Sequence, residues 1–285
     1  MQFGYADKSG SYYQKLKFGI DFRLKRKVMK KHLDQSVELN FTYATDMETL
    51  VLGEEKDFKP YYDVKYHMTN KRKINPYGLS VELQASDDFV KANMEARYEY
   101  TYIYSKSLQV RFFGGAFLHK SDALSNLYSY TLSGSSGIND YKYDQLYFAR
   151  FEDPAGENVL AKQFAVNDGG FSTYSAFGQT NDWILSLNLN SSLPIPKEIP
   201  IRVYASLAFV GSPVKVEGFV NNDSFYWEMG AKLSIVKDVF EIYFPITMSD
   251  PLQDYSDEVN SNYWNQIRFT LYLNKLNPFK LAREL

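Results

Sequence analysis

The chain has 285 residues, a formal net charge of −2 and no cysteine. The near-neutral balance gives no footing for a nucleic-acid partner, and the missing thiols exclude a disulfide scaffold and thiolate metal sites. Aromatic residues make up 17% of the chain, with 24 Tyr and 21 Phe, a bias that suits strands and water–membrane boundaries alike.

The opening MQFGYADKSG has neither the basic stretch nor the apolar core of a signal peptide. Phe3 and Tyr5 alternate there, and from Tyr12 the alternation is almost unbroken. Leu16, Phe18, Ile20, Phe22 and Leu24 fall on one parity; Lys15, Lys17, Asp21, Arg23 and Lys25 fall on the other. A period of two over this length predicts a strand with two chemically opposed faces. The same pattern predicts strands around 37–43, 64–68, 79–83, 94–102, 108–112, 183–189, 201–207, 225–233, 240–246 and 267–273. Many are near the length that a tilted membrane strand needs, whereas no apolar run approaches a transmembrane helix and no helical period of comparable length occurs. In a soluble sandwich the apolar face would meet a second sheet; in an outer-membrane barrel it would meet lipid.

The links separate these two readings. Short or Pro-marked links at 26–35, 70–76, 104–107, 191–200 and 235–238 alternate with longer ones at 46–60, 86–92, 119–182, 211–223 and 249–262. Tight turns at one end and long loops at the other are the periplasmic and extracellular ends of a barrel. Charge sorts with them: Arg26, Lys27, Lys30 and Lys31 on a short link, against Asp46, Glu48, Glu54, Glu55, Asp57, Asp250, Asp254, Asp257 and Glu258 on long ones. By this direction the first and last strong strands both run inward, so antiparallel closure calls for one more strand. MQFGYA, joined through Asp7–Ser11, supplies it and begins mid-strand. The expectation is a single all-β domain over 1–285: a transmembrane antiparallel up-and-down barrel of about twelve strands, forming the C-terminal part of a longer protein.

Catalytic motifs are missing. His32, His67 and His119 sit on different elements, and the sequence holds no H-E-x-x-H, G-x-S-x-G, Walker loop or G-x-G-x-x-G. No catalytic, cofactor-binding or metal residue is nominated, and no cofactor is expected. DPLQDYSDE (250–258) offers carboxylates, but without the Gly and fixed spacing of a calcium loop it reads as a solvated acidic loop. On the inward parity Lys15, Lys17, Arg23, Lys65, Arg97, Arg111, Arg202, Lys232 and Arg268 meet Asp21, Glu38, Glu82, Glu95, Glu99, Glu228 and Glu241. Such a mixture makes either a selective pore or a lumen closed by crossing ion pairs, and the second is favoured in a barrel this narrow. The loop 119–182 is too long for a plain connector. Its Leu146, Tyr147, Phe148, Phe151, Leu160 and Phe164 predict a folded cap over, or dipping into, the mouth, with Gly169 and Gly170 turning the chain back toward the strand at 183–189.

Six stretches carry a resemblance: QVRFFGGAFL (109–118), GINDYKYDQLYFAR (137–150), QFAVNDGGF (163–171), NDWILSLNLNSSLPIP (181–196), VKDVFEIYFPI (236–246) and IRFTLYLNKLNPFKL (267–281). In this order they resemble the C-terminal region of outer-membrane proteins of the aminopeptidase-N-like (gluzincin) metallopeptidase family, in which a soluble zinc-peptidase domain precedes a membrane barrel. The resemblance spans essentially the whole chain but marks the barrel; the family's zinc motif has no counterpart here. It implies a non-catalytic membrane anchor in the bacterial outer membrane of a Gram-negative cell. Expected partners are the lipid bilayer with its lipopolysaccharide, and a peptidase domain of the same protein or other outer-membrane proteins. A barrel that docks partner proteins or lipid, or a diffusion channel, is the alternative.

Overall fold

The structure, a computed structural model, describes residues 2–5, 12–24, 32–52, 57–103, 106–194, 200–218, 223–236, 238–260 and 262–275. The predicted basic turn with Arg26, Lys27, Lys30 and Lys31, the acidic Glu54 and Glu55, and the predicted turn Asp7–Ser11 lie outside the described residues.

The alternating segments form twelve strands in one sheet. They are β1 (Gln2–Tyr5), β2 (Tyr12–Arg23), β3 (Leu33–Thr45), β4 (Phe58–Asn70), β5 (Tyr77–Ala85) and β6 (Phe89–Ile103). Then follow β7 (Lys106–Lys120), β8 (Trp183–Ser192), β9 (Ile201–Val210), β10 (Phe225–Val236), β11 (Phe240–Met248) and β12 (Arg268–Leu271). Every ladder is antiparallel and joins chain neighbours, which makes an up-and-down meander without crossovers. The register keeps the predicted faces. Phe18 opposes Phe41, Ile20 opposes Leu39 and Phe22 opposes Val37 on the outside, while Lys65 opposes Glu82 on the inside.

The sheet is curled into a barrel around residues 121–182. Inward side chains of β2 (Lys15), β4 (Asp63), β5 (Glu82), β6 (Lys91), β7 (Arg111), β8 (Asn188), β10 (Glu228) and β12 (Arg268) all bond to that one insertion. It caps the mouth as predicted and also fills the lumen below it. We call the end that carries this insertion the upper end.

Four features depart from the sequence reading. The predicted loop 86–92 is a three-residue turn, 86–88, because Phe89–Ala92 already pair with β5 and β7. The acidic stretch at 250–258 is a helix, α2, Asp250–Val259. A short helix, α1 (Met47–Leu52), precedes it in the chain and another, α3 (Tyr263–Gln266), follows it. Pro251 in the first turn and Asp250 beside the helix N-terminus favour the start of α2, and burial of Leu252 fixes its inner face. Finally, among the described residues no ladder joins β12 to β1. The free edge of β12 instead pairs in parallel with the insertion at Gln163 and Phe269.

Candidate functional site: the filled lumen

The upper half of the lumen is an apolar core shared between wall and insertion. Leu132, Phe171 and Phe177 of the insertion pack with Phe113, Ile184, Ala208, Val210, Tyr226 and Met248 of the wall and Leu252 of α2, all buried. Met248 reaches this core because a register shift in the β10–β11 ladder beside Ile246 moves it to the inward side, opposite Glu228. A second cluster under α1 joins Tyr128 and Tyr143 of the insertion to Met47, Tyr61 and Phe89. Each fully buried aliphatic or aromatic side chain gains roughly 1.5–3 kcal/mol by leaving water.

Polar side chains of the wall hold the insertion's backbone. Glu228 is fully buried; its carboxylate accepts from the amides of Ser172 (2.7 Å) and Thr173 (2.9 Å) and from the hydroxyls of Ser172 and Ser206. Two backbone donors that the lumen would otherwise strand are thereby satisfied. Arg268 donates to the Ser172 carbonyl at 3.2 Å and lies over the rings of Phe164 and Tyr174. In the same row of the wall, on β7 and β8, Arg111 donates Nε to Glu95 (2.7 Å) and Nη1 to the Asp168 carbonyl (2.9 Å), and Asn188 donates to the Gly169 carbonyl (2.9 Å). The Gly169–Gly170 turn thus reaches β8, as predicted. Gly170 has φ +69°, and a Cβ there would stand 2.8 Å from both Arg111 Nη1 and Asn188 Oδ1, so the contact requires glycine.

Lys91 crosses the centre. Its ammonium bonds to the Tyr128 carbonyl inside a cage of Phe89, Phe117, Tyr130 and Tyr141 rings, each within 5.1 Å. Below it the insertion's lobe 137–150 is held by charge. Lys142 pairs with Asp63 (3.0 Å) and Glu82 (3.3 Å), and Asp144 pairs with Lys15 (2.5 Å) and Lys17 (3.1 Å). Burial opposes the charge of Lys142, but the carboxylates of Glu82, Asp63 and Asp144 outweigh it and hold the ammonium well above its ordinary value. Burial likewise opposes ionisation of Asp144, yet Lys142, Lys15 and Lys17 hold its carboxyl well below the usual carboxylate range. Asp140 is pushed up by burial against the pull of its partner Arg150.

Beneath the lobe lies a cavity of about 860 Å³ that extends to the lower links, lined by both signs of charge, among them Lys65, Glu82, Glu95, Arg97, Lys232 and Glu241. The predicted inward charges therefore pair across the wall: Arg111–Glu95, Arg97–Glu95, Lys232–Glu241 and Lys65–Glu82. His32, His67 and His119 are all exposed, lie on separate elements and are not brought together. Among the described residues no group of three or more His, Asp or Glu is placed to hold a metal ion. No helix of the described residues is long and apolar enough to cross a membrane, which says nothing of crossing by strands.

Of the apolar residues expected to pack within the cap, Tyr147 and Phe164 are buried, whereas Leu146, Phe148 and Leu160 are exposed. The sequence reading missed Glu228 and Arg268 as anchors of the insertion, although it placed both on the inward face. A readable signal was the loss of alternation at the upper strand ends. In Trp183–Ile184–Leu185, Leu207–Ala208–Phe209–Val210 and Phe225–Tyr226–Trp227 both parities are apolar, the pattern of a strand covered on both faces.

No protein-family model matches the chain. No curated protein matches it either. Among solved structures, CdiB from Escherichia coli aligns over 87% of this chain and 45% of that one, with 12% sequence identity and a TM-score of 0.43. The chain thus spans less than half the length of that protein. The barrel assignment stands on the ladders and on the two faces of the strands; an antiparallel barrel, apolar outside and polar within, is the architecture of bacterial outer-membrane proteins.

Proposed function

We propose that this chain is a non-conducting barrel of the bacterial outer membrane that anchors a larger, metallopeptidase-like protein and has no catalytic role itself. The observation that carries the reading is the insertion 121–182. It occupies the upper lumen, is fastened to the wall by Glu228 of β10 and Arg111 of β7, and packs an apolar core against the strands there. A diffusion channel requires a continuous polar path, which such packing opposes. The family named for the parent protein rests on the six stretches quoted above, which supply a barrel and no zinc motif. On this reading the outward face meets bilayer lipid and lipopolysaccharide, and the working partner is a peptidase domain of the same polypeptide or a neighbouring outer-membrane protein.

Purified chain is expected to need detergent, to migrate differently on gels before and after boiling, and to give no steady conductance in planar bilayers. Steady single-channel currents from the wild type would replace the anchor reading with the channel. The chain is also expected to leave aminoacyl substrates intact, since the H-E-x-x-H pair that supplies zinc ligands and a general base is missing from its sequence. Chelator-sensitive hydrolysis by the pure chain would overturn that part.

A further inference from the structure

We infer that part of the insertion, around 146–164, is a stave of the barrel wall, and that Leu146, Phe148, Val159 and Leu160 face bilayer hydrocarbon. This rests on the membrane placement proposed above and goes beyond it, since a loop at the mouth is expected to face water.

The argument starts at the free edge of β12. Gln163 bridges Phe269 in parallel, and the Phe164 amide donates to the Phe269 carbonyl at 2.9 Å. Bridged residues point to the same side of a sheet. Arg268 and Thr270 of β12 are buried and inward, so Phe269 is outward and Gln163 shares its side. Lys162 and Phe164 flank Gln163 and are buried, Phe164 against the ring of Tyr243 inside the barrel. The bridge sets the segment in phase with the wall, and Gln163 is itself buried because a second segment covers its outward side chain. The Gln163 side chain then ties a second segment to this edge: its Nε2 donates to the Leu146 carbonyl at 2.7 Å, and its Oε1 accepts from the Phe148 amide at 3.1 Å. Tyr147, between them, is buried and bonds to the Ser135 carbonyl. Leu146 and Phe148 are left on the outer side.

Just before it, Tyr143 stacks on Tyr13 with ring centroids 4.0 Å apart and Asp144 pairs with Lys15, both on the inward parity of β2. The segment thus leaves the edge of β12 toward the β1–β2 margin, and among the described residues no ladder joins β12 to β1. The outer side chains are exposed like the lipid-facing residues of the strands: Leu146 56%, Phe148 53%, Val159 67% and Leu160 49%, against 59% for Ile20 and 50% for Met229. The nearby charges are sorted away from them. Lys162 and Arg150 are buried on the inner side, and Asp153 and Glu157 lie on the link between the two apolar stretches. A continuous apolar outer surface with its charges set inward or onto a link fits acyl chains and no water-borne partner.

The cysteine-free sequence makes the test direct. Single-cysteine variants of the full chain, Phe148→Cys, Leu160→Cys, Met229→Cys as the wall reference and Asp153→Cys as the water reference, are folded into phosphatidylcholine vesicles and spin-labelled. Collisions with oxygen and with a water-soluble nickel chelate are then compared, and gel migration before boiling verifies folding. Phe148→Cys and Leu160→Cys are expected to match Met229→Cys, with a several-fold excess of oxygen over nickel collisions, and to differ from Asp153→Cys. If Met229→Cys is shielded while Phe148→Cys and Leu160→Cys collide with nickel as Asp153→Cys does, the stave is wrong and the barrel stands. If Met229→Cys itself is open to nickel, the membrane reading fails and takes this inference with it.

Discussion

The two halves of the lumen are built on opposite principles. Above, the inward parity turns apolar at Ile184, Ala208, Val210 and Tyr226, and the insertion packs on it through Leu132, Phe171 and Phe177. Below, the inward parity keeps the charges that alternation predicts, and Lys65, Glu82, Glu95 and Arg97 line a cavity. The upper half gains by excluding water and so must match shapes; the lower half balances charges that can stay hydrated and so tolerates space. Only the upper half has the character of a protein core.

The sharpest way to break this comparison is to delete a ring from each half. Phe171→Ala removes a fully buried phenyl from the upper cluster and should destabilise the folded barrel by about 3–5 kcal/mol. It should also quicken protease nicking of 121–182 in intact vesicles. His67→Ala, exposed on the inward parity beside the lower cavity, should cost less than about 1 kcal/mol. Equal shifts in the temperature at which gel migration changes would show that the upper half is no core.

A charge probe gives the next largest effect and uses one strand to set the scale. On β5, Val81 is outward and Ser80 lines the lower cavity. Val81→Arg should cost roughly 2–4 kcal/mol at mid-membrane, while Ser80→Arg, close to Glu82 and Glu95, should be nearly neutral. Ala208→Arg, inward but in the upper cluster, should be at least as damaging as Val81→Arg, because no water or counter-charge receives it. Folding yield into vesicles measures all three. Tolerance of Ala208→Arg would mean that the inner face is wet along its whole length.

The same contrast explains what the sequence could reveal. Strand order, parity and the size of the insertion follow from local periodicity. Tyr12–Arg23 forms β2 and Phe225–Val236 forms β10 with the predicted faces, since each residue's side is fixed by its neighbours at i±1. The partners of the lumen are not local. The predicted inward Glu228 finds its donors at Ser172 and Thr173, 56 and 55 positions away, and no period of two encodes that pairing. The bulge beside Ile246 reverses the side of Met248 against its own alternation, and among the described residues the edge of β12 pairs with Gln163 rather than with an N-terminal strand. A resemblance built on strand and loop stretches likewise speaks to the wall and leaves the lumen contacts to be found in the structure.

The smallest predicted effect separates the halves by pH. The lobe 137–150 is held by Asp144 and Lys142, and the sign follows from how each is shifted. Asp144 is depressed when folded, so its contribution is complete above the unfolded value of about 3.9 and fades as pH falls toward the lower folded value. Lys142 is raised, so its contribution is complete below about 10.4 and is lost only as pH climbs through the higher folded value. Docking of the lobe should therefore be flat between about pH 5 and 9 and weaken below about pH 4. Asp144 keeps 32% of its side-chain surface in solvent, so the loss should amount to no more than about 1 kcal/mol. Nicking at 137–145 by an acid-active protease, normalised to unfolded chain at each pH, should rise between pH 5 and 3 in the wild type. In Asp144→Asn it should start higher and depend less on pH, because the group that titrates is gone. An identical acid response in the two proteins would show that Asp144 does not hold the lobe, and that the lower half is fastened by packing as the upper half is.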